Sequence, residues 1–286
     1  MKARAFAYLR PATVAEALDA FAGAAGDASY IAGGQSLVPA LALRLQAPDR
    51  LIDIAHIAAL AGIRLDGETL RIGALTRHAQ LIDDPLIARH APLLAEAAPH
   101  IAHPAIRNRG TIGGSLALAD PAAELPAMML AAGATIEIAG PDGVRQVAAD
   151  DFFLDLYQTA LAPGELVTAV LVPVARPDER FAFDELARRR GDYALVGAGI
   201  RVRHAGGTVA EIRIAFLSVA ATPLRARAAE EALAGTVLDA DAIARAQEAL
   251  DDDLDPSDEA HMPAATRRHL ARVLLGRLAG RIREAA

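Results

Sequence analysis

Two short segments of this chain have the makings of an anion cradle. Residues 32–36 read Ala-Gly-Gly-Gln-Ser and residues 111–115 read Thr-Ile-Gly-Gly-Ser, each a glycine pair beside a hydroxyl side chain and set between apolar runs. Glycine takes positive φ without steric penalty, so either segment could be a plain tight turn. A glycine pair also leaves successive amide hydrogens unshielded and free to converge on a phosphate. One such segment favours the turn. Two bring the second reading level with the first, because a diphosphate takes donors from more than one side.

Other chemistry-bearing patterns are weaker or missing. The nearest approach to Gly-x-Gly-x-x-Gly begins at Gly197, inside an expected strand, which disfavours a Rossmann dinucleotide site. Lys2 is the only lysine, so no phosphate loop ending in Gly-Lys-Ser/Thr exists, and neither Gly-x-Ser-x-Gly nor His-Glu-x-x-His occurs. His100 and His103 are spaced His-x-x-His but stand between Pro99 and Pro104 with no third ligand in view, so they read as loop histidines and no metal site is assigned. Asp150-Asp151 and the run Asp251–Asp253 with Asp255 read as solvated carboxylates. Asp120, before Pro121, either caps a helix at Ala122 or touches a ligand; Arg188–Arg190 are either solvated or bind an anion or partner.

The bulk numbers narrow the field. With 286 residues, 53% of them hydrophobic, the chain can build two modest domains with real cores. A net charge of −7 and scattered arginines give no electrostatic footprint for nucleic acid or an anionic membrane. There are no cysteines, which excludes disulfides and thiolate-held iron–sulfur clusters on this chain. The first residues lack the apolar core of a secretory leader and no stretch has the length of a membrane helix, so a soluble cytoplasmic protein is expected.

The elements that must position the two glycine segments can be read from period and punctuation. Thr13 and Glu16 form a capping-box pattern before a helix expected to end at Gly26. A strand over 29–32, a short helix after Ser36 and a strand near 50–55 complete a βαβ-like unit over residues 1–60. Two hairpins are expected, around Asp66-Gly67 and Pro141-Asp142-Gly143, with helices over 76–101 and 122–133 between them and a strand over 165–174 after them. Residues 107–121 read as turn-rich. A polar boundary at 175–180 precedes three strands, the last two joined through Gly206-Gly207, and helices starting near Leu224, Ala240 and Ala264. The fold class is therefore α+β rather than a doubly wound parallel sheet, with a C-terminal three-stranded antiparallel sheet and helices.

Four stretches, residues 32–45, 106–134, 163–173 and 187–200, occur in the order and spacing of a known family. Over essentially the whole chain the sequence resembles the FAD-binding medium subunit of molybdenum hydroxylases, the carbon monoxide dehydrogenase and xanthine dehydrogenase family. The resemblance implies a two-subdomain FAD-binding domain of the vanillyl-alcohol oxidase type over residues 1–175, divided near residue 60, and a C-terminal flavoprotein domain over 176–286. It assigns Ala32, Gly33, Gly34, Gln35, Ser36 and Leu37 to one FAD loop, and Thr111, Ile112, Gly113, Gly114 and Ser115 to the other, both on the pyrophosphate. Glu124 matches a position near the adenosine ribose, Ile101 and Tyr193 match positions near the isoalloxazine, and Asp120 joins the cofactor-binding set. Three departures stand out: Leu118 where relatives commonly carry histidine, Gln35 where histidine is frequent, and no basic residue near Asp184–Glu185.

The function implied is electron transfer. A large partner would hold the molybdenum cofactor and a small partner two [2Fe-2S] clusters; the FAD of this chain would pass electrons to NAD, a quinone or oxygen. A dimer of heterotrimers is the implied assembly. Two other readings stand beside it: a self-contained flavin oxidase or reductase of the same fold, and a scaffold that kept the fold without the cofactor.

Overall fold

The computed structural model describes residues 2–259 and 262–285. The chain opens with β1 (Ala7–Leu9), α1 (Val14–Ala22), β2 (Ala28–Ile31), α2 (Leu37–Ala42) and β3 (Arg50–Asp53). The strands lie in the order β1-β3-β2, all parallel. Parallel neighbours need crossover connections, and the helices supply them. Thr13 caps α1 by accepting from the Glu16 amide, while the Glu16 carboxylate accepts from the Ala12 amide at 2.7 Å. The helix stops at Gly23 rather than Gly26. Gly26 serves a different need, since a Cβ there would overlap the Asp49 carboxylate. Ala17, Ile52, Ile54, Ile57 and Leu60 form this unit's core.

A five-stranded antiparallel sheet follows. Its first hairpin is β4 (Ile63–Asp66) and β5 (Thr69–Gly73), followed by α3 (His78–Asp83), α4 (Pro85–His90), α5 (Pro92–Ala97), α6 (Pro104–Arg107), α7 (Ile112–Leu118) and α8 (Glu124–Ala132). Then come β6 (Thr135–Gly140), β7 (Gly143–Ala148), a small hairpin of β8 (Phe153–Asp155) and β9 (Gln158–Thr159), and β10 (Leu166–Pro173). The order β4-β5-β10-β6-β7 puts β10 at the centre. Every residue of α8 is buried, and apart from Glu124 at its start the helix is apolar on all sides. The stretch expected to be turn-rich contains α7. Thr111 starts that helix by accepting from the Gly114 amide, offsetting the helix cost of two glycines, about 1 kcal/mol each.

The last unit is an antiparallel sheet of β11 (Glu179–Ala187), β12 (Ala194–Ala205), β13 (Thr208–Leu217) and β14 (Leu224–Arg225), covered by α9 (Arg227–Leu233), α10 (Ala240–Asp253) and α11 (Ala264–Glu284). The sheet has a fourth strand where three were expected. Leu224 and Arg225 pair with Phe216 and Ala215, so the helix expected from Leu224 begins at Arg227. This unit docks through α8. The Arg201 Nη1 donates to the Ala132 carbonyl at 3.1 Å, an oxygen the helix leaves open at its C-terminus, and the Arg213 Nε donates at 2.8 Å to the Leu130 carbonyl, which also accepts from the Gly133 amide. Among the described residues no helix is long and apolar enough to cross a membrane.

Candidate cofactor site

The segment between β2 and α2 is an open row of donors. Gly34 has φ +72°, a left-handed conformation that a side chain disfavours. Gly33 is fixed by close approach instead: a Cβ there would overlap the carbonyl oxygen of Arg109. The carbonyls turn inward, Gly33 accepting from the Gln35 Nε2 at 3.1 Å and Gly34 from the Val38 amide at 3.0 Å. The amides of Gly33, Gly34, Gln35 and Ser36 find no acceptor among the described residues. Ser36 is exposed and its hydroxyl makes no capping bond to α2.

The second glycine segment is built differently. Its glycines sit in the first turn of α7 without positive φ, and its amides are already engaged. Ile112 donates to the Thr76 carbonyl at 3.0 Å, Gly113 to Ala74 at 2.9 Å, Ser115 to Thr111 at 3.0 Å, and Gly114 to the Thr111 hydroxyl at 3.1 Å. Gly113 lets α7 lie against β5's end, because a Cβ would come 2.5 Å from the Ala74 methyl carbon. A left-handed glycine and unengaged amides thus occur in residues 32–36 but not in 111–115, where the small residues serve close packing.

The two segments nevertheless meet. Gly33 abuts Arg109 and Gly110, immediately before Thr111. The guanidinium of Arg77 donates to the same Arg109 carbonyl, and the His78 amide donates to the Gly110 carbonyl at 3.0 Å. The His78 ring is buried beneath Gly110 with neither nitrogen bonded, and burial pushes its pKa down to about 4.

The remaining residues gather around the 99–102 turn and the start of α8. Arg107 donates to the carbonyls of Ile101 at 2.7 Å and Ala102 at 2.9 Å, holding Ala102 at φ +41° and Ile101 buried. Glu124 is 7% exposed, and burial pushes its carboxyl up to about 7; the charges of Glu185 and Asp120 add to the rise. Asp120 accepts from the Ala122 amide at 2.9 Å, so it closes the turn that leads into α8, which begins two residues later than expected. The Tyr193 hydroxyl is pushed up to about 12 by desolvation and then by the Asp120 carboxylate.

His100 Nδ1 lies 3.3 Å from Glu185 Oε1. Pro99, His100, Glu185 and the exposed Arg188–Arg190 line a cleft of about 470 Å³. His103 does not join His100 but packs at Gly191, where a Cβ would come 2.6 Å from its ring. Sequence reasoning missed Arg77, Arg107 and His78. The first two act on carbonyls and carry no motif; His78 sits beneath a glycine that only the fold brings to it.

Comparison with known proteins identifies the family. Residues 4–175 match the FAD binding domain in molybdopterin dehydrogenase, and residues 181–282 match the CO dehydrogenase flavoprotein C-terminal domain. The carbon monoxide dehydrogenase medium chain of Afipia carboxidovorans is 38% identical over 281 residues, 98% of each chain. The 6-hydroxypseudooxynicotine dehydrogenase complex subunit alpha of Paenarthrobacter nicotinovorans is 41% identical, covering 97% of this chain and 94% of its own. A solved carbon monoxide dehydrogenase from Hydrogenophaga pseudoflava, lacking the Mo-pyranopterin moiety, superposes with a TM-score of 0.96 at 40% identity, over 99% of this chain and 98% of that chain. Matches of this extent over both halves of the molecule leave one assignment: the chain belongs to the family of FAD-binding medium subunits of the molybdenum hydroxylases, an oxidoreductase family.

Proposed function

We propose that this chain carries electrons through FAD between a small partner bearing two [2Fe-2S] clusters and an external acceptor, while a large partner holds the molybdenum cofactor and the substrate. The observation that supports it most is the row of unengaged amides from Gly33 to Ser36, pressed against Arg109 and Gly110. A diphosphate accepts hydrogen bonds from such a row, and glycine at 33 and 34 allows the backbone to come to it. When bound, FAD supplies the step between single-electron carriers and a two-electron acceptor.

This chain's share is binding and orientation. Ala32, Gly33, Gly34, Gln35, Ser36 and Leu37 offer the first wall of the diphosphate site. Thr111, Ile112, Gly113, Gly114 and Ser115 offer the second, through the exposed edge of Gly114 and the Ser115 hydroxyl rather than through free amides. Ile101 and Tyr193 would face the isoalloxazine and Glu124 the adenosine ribose, with Asp120 beside them in the cofactor-binding set. Glu124 is buried with a raised pKa, so near neutral pH it can donate as well as accept a hydrogen bond. The absence of cysteine on this chain fits a division of labour in which clusters sit elsewhere. Residues 1–175 would bind FAD and 176–286 complete the flavoprotein, in a cytoplasmic dimer of heterotrimers.

The substrate is not read from this chain. Relatives named for carbon monoxide and for 6-hydroxypseudooxynicotine stand at 38% and 41% identity, so kinship here does not rank substrates. Purified protein reconstituted with FAD is expected to show bound-flavin absorbance, and Gly33→Leu or Gly114→Leu to release it, with circular dichroism separating cofactor loss from misfolding. A protein without FAD affinity overturns the reading in favour of a scaffold. Turnover of an organic reductant by the isolated chain overturns it in favour of a self-contained oxidase.

A further inference from the structure

At the junction of the two glycine segments stand two like charges, Arg77 and Arg109, neither of them ion-paired among the described residues. The Arg77 guanidinium is fixed on the carbonyl of Arg109, the same oxygen that Gly33 abuts. Neither Arg77 nor Arg109 forms an ion pair among the described residues, and the Arg109 side chain makes no hydrogen bond among them. The nearby carboxylate, Asp53, is engaged by the Tyr8 hydroxyl and the Ala55 amide and lies beyond ion-pair distance of Arg77. The two guanidinium groups sense each other: burial, and then the Arg109 charge, hold Arg77 below the ordinary arginine value, with the Asp53 charge opposing both. Like charges repel, and the Asp53 carboxylate offsets that repulsion only in part.

We propose that Arg77 and Arg109 are the counter-charge for the FAD diphosphate, closing from the Arg109–Gly110 side the site that the Gly33–Ser36 amides open from the other. This rests on the FAD reading above. A diphosphate carries two negative charges, and neutral amides alone leave them uncompensated. Guanidinium groups supply both charge and planar paired donors suited to phosphate oxygens. The arrangement also explains why the second glycine segment lies here although its own amides are spent: it brings Arg109 to the first. An anion relieves the Arg77–Arg109 repulsion, so its binding and the stability of this junction are coupled.

Arg109→Gln is the cleanest variant, because the side chain has no internal partner and the carbonyl that organises the junction remains. FAD titration into apo-protein prepared from the full chain, followed by flavin fluorescence at several salt concentrations, should show affinity about tenfold weaker. The salt dependence of log Kd should become shallower, as it does when a phosphate contact is lost. Arg109→Glu should weaken binding further and Arg109→Lys should restore part of both, with the apo-protein melting temperature unchanged for Arg109→Lys and not lowered for Arg109→Gln or Arg109→Glu, which remove the repulsion on Arg77. Arg77→Gln should reproduce the loss. If Arg109→Gln and Arg109→Glu both bind FAD within twofold of the wild type, with the same salt slope, the counter-charge assignment is wrong while the FAD reading stands. If the wild type itself binds no FAD, both fall.

Discussion

His100 and Glu185 form a mixed pair, half-exposed imidazole to buried carboxylate. The Nδ1–Oε1 separation is 3.3 Å; the Glu185 side chain is 5% exposed, and its second oxygen has no hydrogen-bond partner. The hydrogen bond to Glu185, opposed by burial and supported by the charges of Glu185, Asp184 and Glu124, raises the His100 pKa. A histidine raised in the folded state contributes stability that is fully present below its unfolded value, near 6.5, and lost as pH rises through the folded value. The stability difference between wild type and His100→Gln should therefore be largest in mild acid and shrink toward alkaline pH. Urea midpoints across pH 5.5 to 9 measure it; a difference flat across that range would show that the pair is packing alone.

Glu124 makes the companion prediction with the opposite chemistry and the same sign. Burial raises its pKa to about 7, so the folded protein favours the neutral acid. Stability tied to it is fully present below about 4.5 and lost as pH rises through about 7. Glu124→Gln should gain on the order of 2 kcal/mol above pH 7 and nothing at pH 4. Because the residue starts α8 beside Asp120 and Tyr193, its ionisation should also appear as a pH-dependent change in bound-flavin absorbance that the variant lacks.

The glycines rank by what a methyl group would meet. Gly33→Ala drives a Cβ into the Arg109 carbonyl, a backbone atom that cannot swing aside, and should cost about 3 kcal/mol and most of the FAD affinity. Gly34→Ala keeps space but needs φ +72°, which costs about 1–2 kcal/mol. Gly114→Ala meets only the Thr111 hydroxyl at 2.8 Å and should cost about 1 kcal/mol through the helix cap. Thermal melts and FAD titrations of the three variants test the order; a Gly114→Ala protein worse than Gly33→Ala would reverse the assignment of which segment is the tight junction.

What could be read from the chain alone was local. Thr13 with Glu16, the turn at Asp66-Gly67 and the glycine pair at 206–207 each specify their structure within a few residues, and each formed. β1 could not be read, because its three exposed residues become a strand only by pairing with β3. α7 was hidden by Gly113 and Gly114, which argue against a helix until Thr111 caps it and Ala74 needs the missing side chain of Gly113. Of the site, the two glycine segments were visible as composition, but their different hydrogen-bonding states were not. Amides 112–115 are consumed by Thr76, Ala74 and Thr111, two of which lie more than thirty residues away in the chain. Arg77 escaped notice for the same reason, since it binds a carbonyl thirty-two residues away, and Arg107 because a side chain that binds backbone carbonyls leaves no motif even when they are near in sequence.

Arg213 links the C-terminal sheet to the helix that Glu124 begins. Its Nε meets the Leu130 carbonyl at 2.8 Å and its Nη2 meets Asp150 at 2.6 Å, one guanidinium serving a helix end and a carboxylate at once. Carbonyls in the last turn of a helix carry partial negative charge, so a cation there is favoured beyond its hydrogen bond. Burial opposes ionisation of Asp150, and the hydrogen bond and charge of Arg213, with the charge of Arg225, prevail to hold its carboxyl below the usual range. Arg213→Ala should cost about 1–3 kcal/mol, and Arg213→Lys should recover less than half, because an ammonium cannot reach both partners in the planar geometry. If this contact is what docks the C-terminal sheet on α8, the Ala variant should unfold in urea with a broader transition, and FAD release should precede loss of helical signal. A single sharp transition at the wild-type midpoint would mean that the apolar faces of α8, β12 and β13 dock the units without it.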